Sequence, residues 1–481
     1  MNPLCYSNPS RRKFLARGTF GVGSVALACL LQQEQALAVP SNVLLEPKVF
    51  DLTPKAPMLQ PHARSLISLF MHGGPSQVDL LDPKPELSKR DGQSYDGNVV
   101  FSFFNRATKR LLGSPWKFKQ HGQCGTAVSE LLPNIAEIVD DICVIRSMHT
   151  DTNDHGTSIR KLVTGLSQPD RATLGAWLTY GLGTENQNLP AYVVLGDPGG
   201  QPTFGIKNWS NGWLPSIYQG TVVRAQEPRI LNLEPPPHLK GELQRQNLDY
   251  LQQLNRDFLD RHPGESDLEA RIAAFELAAR MQVDAKEALD ISQETAATCR
   301  LYGLDDPVTK EYGTRCLIAR RLVERGVRFV QLFLPSQPWD SHTDIRKSLP
   351  EICRKTDKPS AGLVKDLKDR GLLDSTLVHW GGEFGRLPVS EGDPAKGGRD
   401  HNGEGFSIWL AGGGVRGGTT FGQTCEFGHR SVVDKVSQND FQATLLHAFG
   451  LDHNKLTYIH NGQQQKLTAD QPCRVVREIF G

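Results

Sequence analysis

Short apolar runs closed by turn residues punctuate this chain, and each reads as a strand buried on both faces. Ser65-Leu66-Ile67-Ser68-Leu69-Phe70-Met71 ends at His72-Gly73-Gly74-Pro75, a strong breaker. Residues 142–145 and 191–195 repeat the pattern, the second closed by Gly196-Asp197-Pro198. Further runs lie at 326–334, 375–380 and 406–410. From 241 to about 325 the period changes: Leu, Ala, Arg and Glu dominate, and apolar residues recur at three and four. Three helices are predicted there, at 241–261, 266–295 and 308–325. Leu268, Ile272, Phe275 and Leu277-Ala278 would share one face of the second. Residues 358–370 and 439–449 read as helices ended by Gly371 and Gly450. Strands alternating with helices predict an α/β fold, a mostly parallel sheet sandwiched between helices, with 241–325 as a helical insert of structural role.

The N-terminus carries a different pattern. Ser10-Arg11-Arg12-Lys13-Phe14-Leu15 is a twin-arginine run, followed by an uncharged apolar stretch at 18–31. That stretch is shorter than the roughly 20 residues a bilayer span needs. Ala36-Leu37-Ala38 offers a small-x-small cleavage site. The order predicts a twin-arginine signal peptide over 1–38, a linker or surface strap over 39–63, and one large domain over 64–481. An uncleaved anchor helix is the plainer alternative. Lipid attachment at Cys29 fits less well, since Ala26-Leu27-Ala28 matches a lipobox poorly. The expected destination is the periplasm or beyond, reached through the twin-arginine export machinery, which carries folded proteins.

Composition narrows the partners. The chain has 481 residues, with 54 basic against 53 acidic, so neither nucleic acid nor an anionic membrane surface is indicated. No later stretch is apolar for 18 residues, so no membrane span is expected in the mature form. Of 9 cysteines, Cys5 and Cys29 would leave with the signal. The remaining seven show no C-x-x-C and are odd in number, which favours buried free thiols over a disulfide framework.

Ligands of open α/β sheets bind beyond the carboxyl ends of the strands, so the residues following each predicted strand matter most. After the first come His72 and Asp79; after the second, the segment His149 to Gly156, with His155 in it. Trp339-Asp340-Ser341-His342 follows the run ending at Leu334, and Gly381-Gly382-Glu383-Phe384-Gly385-Arg386 follows the run ending near Trp380. Gly398-Arg399-Asp400-His401-Asn402 leads into the last run. Imidazole nitrogens with carboxylate oxygens suit Zn, Mn or Fe, and carboxylate-rich subsets suit Mg or Ca. Each residue has a plainer reading: His72 and His401 as loop histidines, Asp79 as a turn residue, Glu383 as part of a glycine turn. Their coincidence at strand ends is the stronger signal. Gly412 to Gly418 looks like a phosphate loop only loosely and reads better as a hairpin.

These strings together resemble an exported bacterial family known as domain of unknown function fifteen-oh-one. They are HGGPSQVDLLDPKP from His72, WDSH from Trp339, GEFGR from Gly382, and GRDH from Gly398 with AGGG from Ala411. The resemblance covers roughly residues 64–480. That family is similar to the alkaline phosphatase and sulfatase superfamily. The resemblance implies an alkaline phosphatase-like (sulfatase-like) sheet between helices and a metal site at the strand ends. There are departures. The position of the sulfatase nucleophile falls on His155, with Thr152, Thr157 and Ser158 nearby. Glu383-Phe384 stands where a carboxylate-histidine pair is usual, and the first strand ends in His72 rather than an aspartate.

Residues and resemblance together lead to a metal-dependent hydrolase of sulfate or phosphate esters, its substrate a small molecule or a glycan ester. The expected ligand pool is His72, Asp79, Asp340, His342, Glu383 and His401, around a divalent metal (Zn, Mn, Ca or Mg). His155 would be a ligand, a general base or a nucleophile, and Arg160 or Arg386 would steady an oxyanion. The alternative is a sulfatase-fold protein without catalysis that binds a glycan or a protein partner.

Overall fold

Six of the strands expected from the apolar runs form the centre of one sheet. The computed structural model describes residues 51–481 apart from 103–106, 232, 235, 237, 239, 262–265 and 394–395. The expected signal peptide and the linker up to residue 50 lie outside the described residues. Among the described residues the main sheet has nine strands. They are β1 (Ser65–Phe70), β2 (Ile142–His149), β3 (Tyr192–Leu195), β4 (Thr221–Val223), β5 (Phe329–Phe333), β6 (Thr376–Gly381), β7 (Phe406–Ala411), β8 (Thr419–Phe421) and β9 (Val436–Ser437). Their order is β8-β2-β7-β6-β1-β5-β3-β4, with β9 also on β2. All six residues of β1 are buried, as a strand between two neighbours and two helical layers requires.

Direction decides where the loops go. β1 runs parallel to both β5 and β6, in register Phe70↔Phe333 and Phe70↔Gly381. β3 is parallel to β5 and to β4, and β8 and β9 are parallel to β2. β7 is antiparallel to both β6 and β2, so it alone runs against the rest. The segments after β1, β2, β5 and β6 therefore leave at one rim. The segment before β7 enters at that same rim.

The covering helices are α1 (Gln77–Leu80), α2 (His155–Thr164), α3 (Leu174–Leu182), α4 (Glu242–Arg261), α5 (Ser266–Leu289), α6 (Lys310–Glu324), α7 (Ile345–Asp369) and α8 (Gln438–Ala448). Several differ from expectation. Helix α5 packs through Ile272, Leu277, Met281, Ala285 and Ala288, so the expected face holds at Ile272 and Leu277 and fails at Phe275, which is 70% exposed. Helix α7 begins at Ile345, not at 358, and contains Pro350 and Pro359. Burial of Leu349, Ile352, Cys353 and Pro359 holds the turns around the two prolines. Gly412 to Gly418 is not a hairpin, because β7 and β8 lie on opposite sides of β2 and the loop passes over the start of that strand.

Residues 51–63 behave as a strap. Leu59 N–H donates to the Gly450 carbonyl, just beyond α8, and Ala63 N–H to the carbonyl of Ala448, its last residue, while Lys55 N–H reaches Leu182 at the end of α3. The seven cysteines in the described residues are free thiols; Cys143, Cys316 and Cys353 are buried and Cys124 is exposed. Among the described residues no helix is long and apolar enough to cross a membrane.

Candidate metal centre

The rim shared by these strands collects the histidines. After β1 the chain turns at Gly73, whose φ of +111° an L side chain rarely adopts. A Cβ there would sit 2.6 Å from the Asp340 backbone nitrogen, so glycine lets the β1 and β5 exits pack backbone to backbone. Trp339 N–H donates to the His72 carbonyl at 3.1 Å and places Asp340 beside that turn. His155 opens α2, capped by the Asp154 carboxylate accepting from Thr157 N–H. His401 sits in a two-residue ribbon opposite Arg386, just before β7.

His155, Asp340, His342 and His401 each bring one potential ligand atom to within 4.8 Å of all the others. Asp340 is the hub. Its Oδ1 lies 3.0 Å from His342 Nε2 and 3.3 Å from His401 Nε2, and its Oδ2 lies 3.3 Å from His155 Nε2. The two nitrogens His342 Nε2 and His401 Nε2 are 2.9 Å apart.

The far side of each ring fixes its tautomer. His155 Nδ1 is 2.7 Å from Glu383 Oε1, His342 Nδ1 is 2.5 Å from Glu391 Oε2, and His401 Nδ1 is 2.6 Å from the Asn153 carbonyl. Carboxylates and carbonyls only accept, so each Nδ1 carries the proton and donates. Three Nε2 lone pairs then face one carboxylate. Two such lone pairs 2.9 Å apart repel unless a proton or a cation stands between them. Three imidazoles and a carboxylate whose outer nitrogens are anchored in this way are a donor set that could hold a transition-metal ion.

Electrostatics agree with that picture. Burial raises the Asp340 carboxyl, but Arg386 and the three histidines outweigh it and hold it far below the ordinary carboxylate range. Burial lowers His342, but its bonds to Asp340 and Glu391 prevail and push it up to about 9. His155 is likewise raised, by Asp340 and Glu383 against burial. His401 is lowered, by burial first. The shifts of His342 and His155 favour the charged form of those rings, and that of His401 favours the neutral form.

The remaining expected residues fall into three groups. Glu383 is fully buried and outside the cluster; it holds His155 and accepts the Gly73 N–H on both oxygens, at 3.1 and 3.2 Å. His72 is buried beside it among Phe70 and Phe333, with neither ring nitrogen hydrogen-bonded. Asp79 is a correction. Its carboxylate is bonded to Arg399, through Nε at 2.7 Å and Nη2 at 3.0 Å, with both side chains wholly buried, and it stands outside the histidine cluster. Arg386 is a second correction. It is fully buried, with Nη2 on Asp340 Oδ1 at 2.6 Å and on the Gly73 carbonyl, Nε on Gly74 and Nη1 on the Arg399 carbonyl. It clamps Asp340 and does not face a substrate. Arg160 lies on the α2 face that carries Gly156, under the ring of Phe204 at 5.4 Å, with its Nε unbonded.

Sequence reasoning missed Glu391 and the role of the Asn153 carbonyl. Neither could be found from strand ends, because Glu391 belongs to a three-residue strand paired outside the main sheet and Asn153 contributes only backbone. A cleft of about 310 Å³ opens beside His401, lined by Thr150, Asn153, Asn402, Glu404 and His429.

A family described as "Protein of unknown function (DUF1501)" matches residues 63–480. No curated protein matches the chain. Its structural neighbours include a protein titled Ps i-CgsB, 13% identical, with a TM-score of 0.35, covering 82% of this chain and 73% of that one. They also include the PsFucS1 sulfatase from Pseudoalteromonas sp., 14% identical, TM-score 0.33, over 66% of this chain and 62% of that one. The phosphonate monoester hydrolase SpPMH from Silicibacter pomeroyi is 10% identical, TM-score 0.35, over 73% and 71%.

Proposed function

This chain belongs to the DUF1501 family, and we propose that it is a metal-dependent hydrolase of sulfate or phosphate esters. The observation that carries the reading is the convergence of three imidazole Nε2 atoms on Asp340, each ring anchored through its Nδ1. His155, Asp340, His342 and His401 would hold the ion. With three nitrogen donors the set suits Zn²⁺ or Mn²⁺ ahead of Ca²⁺ or Mg²⁺, which prefer all-oxygen shells. A divalent ion bound there supplies Lewis-acid polarisation of the ester and activation of water.

The protein's own groups do the rest. Glu383 keeps His155 in the tautomer with Nε2 free, so His155 serves as a ligand rather than a nucleophile. No Ser or Cys occupies that position, and the reading contains no covalent ester intermediate. Arg160, at the first turns of α2, steadies the anionic oxygens. The cleft beside His401 receives the part of the substrate beyond the ester.

The test is elemental analysis with turnover. Purified protein should hold about one Zn or Mn per chain, hydrolyse a member of an aryl sulfate and phosphate panel, and lose both on His342→Ala. The same histidine at the nucleophile position favours the second reading, a binding protein without catalysis. Bound metal with no hydrolysis across the panel would support it. We also infer export by the twin-arginine route, supported by Arg11-Arg12 and the apolar stretch that follows. Changing both arginines to lysine should leave an unshortened chain in the cytoplasmic fraction.

A further inference from the structure

We propose that Glu391 is a positioning residue for the metal centre, acting through His342. The inference rests on the metal-binding reading above and concerns a residue outside the cluster. The Glu391 side chain is 1% exposed, and its Oε2 accepts from His342 Nδ1 at 2.5 Å. A buried carboxylate at that nitrogen fixes the ring's tautomer and its rotation about χ2. Nε2 is left to face Asp340 and His401, where it sits 3.0 and 2.9 Å from its neighbours.

The backbone around Glu391 is stitched to both histidine segments. Glu391 N–H donates to the Gly398 carbonyl at 2.9 Å, and Arg399 N–H donates to the Ser341 carbonyl at 2.9 Å. Asp344 N–H donates to Lys396 at 2.8 Å. Gly398 is packed so closely on Ser341 and His342 that any side chain there would collide with their carbonyls, so the 341–344 and 396–399 segments lie backbone against backbone. Glu391 therefore couples the ring of His342 to the loop that delivers His401. Glu383 and the Asn153 carbonyl hold the Nδ1 atoms of the other two rings. Each metal-facing ring is thus gripped from behind by a different part of the chain.

Glu391→Gln tests this while keeping the shape of the side chain; Glu391→Ala removes it. Zn²⁺ affinity is measured by competition with a chromophoric chelator, and the Co²⁺-loaded protein is followed by its visible absorption bands. Thermal melting of the metal-free proteins checks that each variant folds. The expected result for Glu391→Gln is a loss of about 10- to 100-fold in Zn²⁺ affinity with shifted Co²⁺ bands and little change in metal-free melting. A merely structural role would lower melting and leave the bands in place. Wild-type affinity and bands in a folded Glu391→Gln protein would overturn this inference alone. Failure of the wild-type protein to bind Zn²⁺, Co²⁺ or Mn²⁺ would overturn the metal reading and this inference with it.

Discussion

At the scale of single residues, two buried charges separate structure from chemistry. Asp79 and Asp340 both follow strands and both meet an arginine, yet their surroundings differ. Asp79 is sealed against Arg399, and Ser76 donates to it at 2.6 Å. Asp340 has a side chain 21% exposed and three imidazoles on it. Removing one partner of a sealed pair leaves an uncompensated charge, which costs about 3–5 kcal/mol. Asp79→Ala should therefore lower stability by that order in chemical denaturation, without altering metal stoichiometry. Asp340→Asn should do the opposite, losing the metal. His379 offers a pH test away from the centre. It is buried under Phe441, with Ser68 Oγ at 3.1 Å from Nδ1, and burial lowers its pKa to about 3. Above pH 6.5 it is neutral in both states and contributes no pH dependence. Below 6.5 the unfolded chain takes up a proton that the folded chain refuses, so stability is lost as pH falls. The cost is about 1.4 kcal/mol at pH 5.5. His72, His401 and His429 shift the same way, so the comparison is with His379→Asn, whose stability should fall less steeply between pH 6.5 and 5.

At the scale of elements, the contrast is between helices that show a stripe and helices that do not. Helix α5 shows how a stripe can mislead: Phe275 fits the pattern and points outward, while Met281, a turn and a half later, is 6% exposed. Met281→Ala should cost about 2–5 kcal/mol, and Phe275→Ser should fall within about 0.5 kcal/mol of wild type; urea titration of both decides which face packs. Helix α3 was invisible to periodicity because Leu174 to Thr179 is buried all round and leaves no polar face. Helix α2 could have been bracketed by its cap residues, Asp154 before it and Gly165 with φ +83° after it. The strands were legible because a parallel sheet covered on both faces needs continuous apolar runs. The reversal of β7 was not, since its run looks the same in either direction.

At the scale of the whole molecule, the centre is assembled from segments that only the finished sheet brings together. His155 and Glu383 are 228 residues apart in sequence, and His401 and Asn153 are 248 apart. The strand-end argument reached His155, Asp340, His342 and His401 because they leave or enter at one rim. It also gathered Asp79, which sits at that end of β1 but turns inward to Arg399. Sequence position gives the rim, and side-chain direction decides between ligand and buried ion pair. Because no unfolded chain holds these four groups together, an ion that binds them binds the folded state alone. Folding stability should then rise by about 1.4 kcal/mol for each tenfold increase in free metal above its dissociation constant. The melting temperature should climb with the logarithm of free Zn²⁺ in the wild-type protein. His342→Ala should be flat over the same range. Asp79→Ala should start lower and climb with the wild-type slope, since its lesion lies in the scaffold and not in the ligand shell. Parallel slopes in wild type and His342→Ala would place the ion away from Asp340 and remove the centre from this rim.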